Sequence, residues 1–143
     1  MTRAAVNAHC GALPGTEVSD PWGGGHDCWK VAGKMFALVG AMDHGVSLKC
    51  GDDGEAAMLI EAGRAERAPY LARGGWVLVR WGAMDDAELR ARLTRSYLTV
   101  RRGLTRRVQT GLGPEPDDAA TDPEAEAVSR TSPRRAPRSA GKA

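Results

Sequence analysis

Lys30, Lys34, Lys49, Arg73, Trp76 and Arg80 are the residues whose types and spacing are best suited to chemistry in this chain. The five cations can neutralise phosphates, and the indole offers a flat surface on which a base can stack. Tyr70 stands close to them in sequence. Lysines and tryptophans are also common on solvated sheet faces that bind nothing, so the set takes its meaning from the elements that carry it. A second basic group is Arg101-Arg102 with Arg106-Arg107, and a third is Arg134-Arg135 with Arg138. Cations at a helix C-terminus complement the helix dipole, whereas basic tails add non-specific affinity for nucleic acid.

Other chemistries find less support. His26, Asp27, Cys28, His44 and Cys50 are metal-ligand types, but they lack the close ligand pairs of structural zinc sites, and no metal or cofactor is expected. Cys50 precedes a predicted helix N-terminus, a place that lowers a thiol pKa, and His44 or His26 would have to serve as its base. The alternation around Cys50 points it inward with Val46 and Leu48, which favours an inert core thiol. Gly23-Gly24-Gly25 and Gly51-Asp52-Asp53-Gly54 match neither the P-loop nor the dinucleotide pattern, and the second is acidic. No catalytic residues are assigned, and the chain reads as a non-enzyme.

Composition sets the frame. The chain has 143 residues and a formal net charge of +2. Weak net positivity of this kind does not by itself indicate a nucleic-acid partner. Residues 111–128 carry six acids and no base, and residues 129–143 carry five bases and no acid. Three cysteines at wide spacing argue against a disulfide framework. No apolar run is long enough to span a membrane and no signal peptide is visible, so a cytoplasmic location is expected.

The elements that must position the basic set can be read in order. Residues 3–12 predict a helix capped by Thr2, with Val6, Cys10 and Leu13 on one stripe, ended at Pro14-Gly15. Residues 16–27 read as a loop with room for a short strand. Two strands, at 28–31 and 34–39, flank a turn at Ala32-Gly33, and the second of them is apolar enough to be central. Residues 46–50 alternate, which sends Ser47 and Lys49 to the face away from Val46, Leu48 and Cys50. Asp52 and Glu55 open a second helix that stops at Gly63. After a loop at 64–75, residues 76–80 form a strand. Asp85 and Glu88 open the clearest helix, with Leu89, Leu93, Tyr97 and Val100 in its stripe and exposed pairs Asp86–Arg90 and Glu88–Arg92. From residue 111 the composition is too polar to offset the entropy of ordering, which predicts a disordered tail dispensable for folding. The fold expected is α+β in two layers: an antiparallel sheet with helices on one face, over residues 1–110, and the charged tail at 111–143.

Several of these segments resemble a known family. They are Ala12-Leu13-Pro14-Gly15, the hairpin Trp29-Lys30-Val31-Ala32-Gly33-Lys34-Met35-Phe36-Ala37, Val46-Ser47-Leu48-Lys49-Cys50 before a capped helix, Pro69-Tyr70-Leu71, Arg73-Gly74-Gly75-Trp76-Val77, and a closing helix containing Ser96-Tyr97. In order and spacing they resemble the MmcQ/YjbR family over roughly residues 1–104. The resemblance implies a CyaY-like fold and a DNA-binding role. The glycine-rich Gly23-Gly24-Gly25-His26 and the tail depart from the family pattern. Lys30, Lys34, Lys49, Arg73, Trp76 and Arg80 are the expected contacts to DNA. The competing reading is a module that binds a protein or small ligand through the same face.

Overall fold

The computed structural model describes residues 1–69, 71 and 73–118. Its elements are α1 (Arg3–Gly11), β1 (Thr16–Ser19), β2 (Asp27–Val31), β3 (Lys34–Val39), β4 (Gly45–Lys49), α2 (Asp53–Glu61), β5 (Glu66–Arg67), β6 (Trp76–Arg80), α3 (Asp86–Arg102) and α4 (Arg106–Gly111). The strands form one antiparallel sheet in the order β1-β2-β3-β4-β6-β5. The α+β architecture is the one expected. The strand anticipated within 16–27 is β1, while β5 and α4 are additions.

The helices begin where the caps predicted. Thr2, Asp52 and Asp85 accept the backbone N–H groups of Ala5, Glu55 and Glu88 at 3.2, 2.7 and 2.8 Å. Each thereby satisfies a first-turn donor that has no partner inside its helix. The pair Glu88–Arg92 forms at 3.0 Å. Asp86 does not pair with Arg90 within salt-bridge distance; the amine of Met1 holds it at 2.9 Å, because the chain start packs over the same helix end.

Trp29, Phe36, Ala37, Val39, Val46, Leu48, Val77 and Val79 from the sheet share one core with Val6, Cys10, Leu59, Leu89, Leu93 and Tyr97 from the helices. Phe36 meets the Tyr97 ring edge-on, with centroids 5.5 Å apart. Trp29 pairs with Ala37 and Lys30 with Met35, so Phe36 is the extra residue of a bulge. The bulge lets Phe36 and Ala37 both face inward, which strict alternation would forbid.

Ser96 closes the gap this bulge leaves beside α3. Its hydroxyl donates to the Phe36 carbonyl at 2.6 Å and accepts the Lys49 N–H at 2.8 Å. A fully buried serine therefore ties β3 and β4 to the last helix and sets the end of β4, where the candidate site begins.

Residues 111–118 are not the start of a detached tail. Leu112 packs on the core, and Arg101 donates to the carbonyl of Gly113. The expected boundary after Thr110 falls inside α4, ahead of this packed segment. Arg134, Arg135 and Arg138 and the rest of the tail lie outside the described residues, as does Tyr70. Among the described residues no helix is long and apolar enough to cross a membrane.

Candidate nucleic-acid interface

Register places Lys30, Lys49, Trp76 and Arg80 on the face of the sheet turned away from the core, whereas Lys34 pairs with the buried Val31 and lies on the core side at the start of β3, and Arg73 precedes β6 outside the register. Lys49 pairs with Trp76 across β4 and β6, Lys30 pairs with Met35, and Arg80 pairs with Gly45. Cys28, Leu38, Ser47 and Leu78 continue that face as one cross-strand row.

Lys34, Lys49 and Trp76 converge. With Met35, Thr99, Val100, Gly103 and Leu104 they line a groove of about 300 Å³, where β3 begins, β4 ends, β6 begins and α3 ends. Neither lysine has a carboxylate within 4.0 Å among the described residues. Lys34 is exposed, and Lys49 and Trp76 are half-buried. A lysine of this kind keeps its apolar stem on the protein and its ammonium in water, ready for an anion.

The loop before β6 is held tightly against this groove. Gly74 and Gly75 adopt φ of 79° and 77°, which side chains rarely allow. The Gly75 carbonyl accepts the Cys50 N–H at 2.8 Å. A Cβ on Gly74 would come within 3.0 Å of the Lys49 Nζ. Arg73 is exposed and directly precedes Gly74 in the loop that leads into β6. Lys30, one strand over from Met35, borders the groove at a greater remove.

Arg80 stands apart from the other five. It lies four residues from Trp76 along one strand, about 13 Å away. Its guanidinium is held by the Glu66 carboxylate of β5, whose hydrogen bond raises the Arg80 pKa further. Its charge is thus matched inside the protein.

The second basic group also divides. Arg101 is buried and donates to the Tyr97 hydroxyl at 3.0 Å, while Arg102 is bound by Glu115 at 2.8 Å. Arg106 lines a hollow that shares Leu104 with the groove, so the arginine pair after α3 contributes one flanking cation.

Burial pushes the Cys10 thiol up to about 12. Burial and the Glu55 and Asp52 carboxylates push Cys50 up to about 11, which disfavours the thiolate a nucleophile needs. His26 lies 3.3 Å from Asp20, away from Cys50 in the loop before β2. Among the described residues no three His, Cys, Asp or Glu side chains are grouped to hold a metal ion.

The YjbR family model matches residues 11–99, which include the hairpin, the groove and most of α3. The chain belongs to the YjbR family. No curated protein gives a significant match. The fold resembles the crystal structure of Deinococcus radiodurans protein DR2400, described as a DUF419 domain, with a TM-score of 0.73 and 23% identity over 85% of this chain and 95% of that one. The likeness in fold covers a larger share of the chain than the family model, which matches residues 11–99.

Proposed function

We propose that this YjbR protein is a non-enzymatic, cytoplasmic nucleic-acid-binding protein, with DNA as its first ligand. The observation that carries the reading is the convergence on one groove of a half-exposed indole and two lysines that have no carboxylate partner among the described residues. Lys34 and Lys49 would neutralise phosphates, with Arg73 and Lys30 beside them, and Trp76 would stack on a base or wedge against a sugar. Arg80, already paired with Glu66, adds little. Lysines dominate this set, and ammonium groups that neutralise phosphates carry no sequence information, so binding follows charge and shape more than sequence.

A second reading rests on a different hollow. Leu38, Met42, Pro69 and Leu78 with Ser47 line an apolar cavity of about 220 Å³ on the same sheet face, toward the loop that joins β3 to β4. Such a cavity suits an apolar ligand or a partner side chain.

The deciding experiment is fluorescence polarisation with random-sequence duplex and single-stranded DNA across a salt series. Binding whose logarithm falls linearly with the logarithm of salt, at a slope of about −0.9 per phosphate contacted on duplex, supports the first reading. Absence of binding at about 50 mM salt refutes it and leaves the apolar cavity as the functional feature.

A further inference from the structure

Residues 112–118 form a strap laid back along α3. Its seat is built for it. Gly15, at φ 73°, leaves the space that Leu112 fills, and a Cβ there would meet the Leu112 Cδ2 at 2.2 Å. Arg101, 2% exposed, donates from Nη1 to the Tyr97 hydroxyl at 3.0 Å and from Nη2 to the carbonyls of Gln109, at 3.2 Å, and Gly113. The Tyr97 hydroxyl in turn donates to the Pro14 carbonyl at 2.6 Å. A buried guanidinium therefore clamps the strap to the turn after α1.

Past this anchor the strap turns acidic and meets bases. Glu115 accepts from Nε and Nη2 of Arg102 at 3.1 and 2.8 Å, a two-point contact. Asp118 lies 3.7 Å from Nη2 of Arg95. Arg95 and Arg102 are seven residues apart, which places them on one side of α3 about 10 Å apart along its axis. Thr99 lies between them and lines the groove of Lys34, Lys49 and Trp76. The strap's carboxylates thus sit on two cations at the border of that groove. In sequence the acidic run goes on through Asp122, Glu124 and Glu126 without a base.

We infer that the strap is an intramolecular competitor of nucleic acid: Glu115 and Asp118 occupy positions that backbone phosphates take when the groove is filled. The inference rests on the nucleic-acid reading and adds its regulation. Carboxylate and phosphate both accept two parallel hydrogen bonds from a guanidinium, so one can replace the other on Arg102 without rebuilding the site. Arg95 is the lesser half of the exchange, because Glu55 also approaches it at 3.9 Å and holds Arg92 at 3.0 Å. Leu112 and Arg101 stay seated in both states, and only the charged part beyond Gly113 has to lift. The closed form keeps the border cations matched and raises the salt-sensitive threshold for binding. Any polyanion able to reach both arginines opens it.

The test compares the full-length chain with the full-length double variant Glu115→Gln, Asp118→Asn, using short random-sequence duplex DNA in a salt series. Both proteins carry the same basic tail, so its contribution cancels. Exposed ion pairs of this kind are each worth about fivefold or less in an equilibrium. The variant is expected to bind about two- to tenfold tighter at low salt, with a slope steeper by one to two phosphate contacts. Adding Arg102→Ala to the variant should abolish most of that gain. Equal affinity and equal slope for two proteins that both bind would overturn the strap as competitor while leaving the nucleic-acid reading intact. If neither protein binds at about 50 mM salt, the nucleic-acid reading fails and the competitor goes with it.

Discussion

Lys49 stands directly opposite Trp76 in the register of β4 and β6, so cation and indole open onto the same groove from neighbouring strands. Neither β4 nor β6 can shift by one residue without sending both into the core, because each strand alternates strictly at that point. The pair is therefore as well fixed as the sheet itself, while Lys34 approaches from the first residue of β3.

That relationship separates charge from stacking. Lys49→Ala and Lys34→Ala should each reduce the salt slope of DNA binding by about one and weaken binding equally on unrelated sequences. Trp76→Ala should cost about 1–3 kcal/mol of affinity while leaving the slope nearly unchanged. Arg80→Ala should alter neither by much, since Glu66 already matches its charge. An Arg80 variant that loses as much slope as the Lys49 variant would show that binding spreads over the whole sheet face.

Ser96→Ala tests how the groove is held. The substitution leaves the Phe36 carbonyl and the Lys49 N–H without their shared partner, in a place that water does not reach. An unsatisfied buried polar group costs about 1–3 kcal/mol. Urea unfolding should show a loss of that size or greater, and a change under half a kcal/mol would mean the two strands close on each other without the hydroxyl.

What could be read in the sequence was what repeats or caps. Asp85, Leu89, Leu93 and Tyr97 announce α3, because a cap and a stripe at three- and four-residue steps have one structural solution. The alternation of 46–50 sent Lys49 to the outer face, where it lies. β5 escaped notice because two residues cannot display a period. Its partner choice decided the state of Arg80, since Glu66 and Arg80 meet only through a strand register that composition does not encode. Arg101 looked like a cation complementing a helix end and is instead in the core. Its partners are a tyrosine hydroxyl and two backbone carbonyls, and carbonyls leave no mark in a sequence. The same gap hid the strap, where Leu112 alone among the first residues of an acidic stretch signals packing.

His9 gives the fold a pH dependence in the mild acid range. Burial, and then the Arg90 charge, hold its pKa below the ordinary histidine value of 6.5, and its Nε2 lies 2.8 Å from the Thr94 hydroxyl. The unfolded chain therefore binds a proton at His9 more readily than the folded one. Its contribution to stability is complete above about pH 6.5 and is lost as pH falls from there through the lower folded value. Urea midpoints should decline between pH 7.5 and 5.5, and His9→Gln should flatten much of that decline. Asp27, Asp86 and Glu115 have lowered pKa values, so their contributions are lost in stronger acid, as pH falls from the ordinary carboxylate range through their lower folded values. An unchanged pH profile in the variant would assign the effect elsewhere.

Two truncations define where the folded unit ends. Cutting after Thr110 removes Leu112 from the space over Gly15 and takes the Gly113 carbonyl from Arg101. The leucine is partly buried, so its loss is worth about 1–2 kcal/mol. Arg101 then keeps the Tyr97 hydroxyl and the Gln109 carbonyl, while its Nε, which has no acceptor among the described residues, is uncovered. A lost hydrogen bond to a charged donor costs about 1.5–3 kcal/mol, and water entering the opened site recovers part of it. The sum predicts a loss of about 2–4 kcal/mol, which for a domain of this size lowers the thermal midpoint by roughly 10 °C or more. Cutting after Asp118 keeps every one of these contacts. The residues it removes hold Val128 as their one large apolar side chain, so the midpoint should move by no more than about two degrees. Calorimetry on the two truncated chains and the full one distinguishes the cases. If the shorter chain melts with the full-length protein, Leu112 and Gly113 lie on the surface without holding it. If the longer chain also melts early, the folded unit extends beyond Asp118.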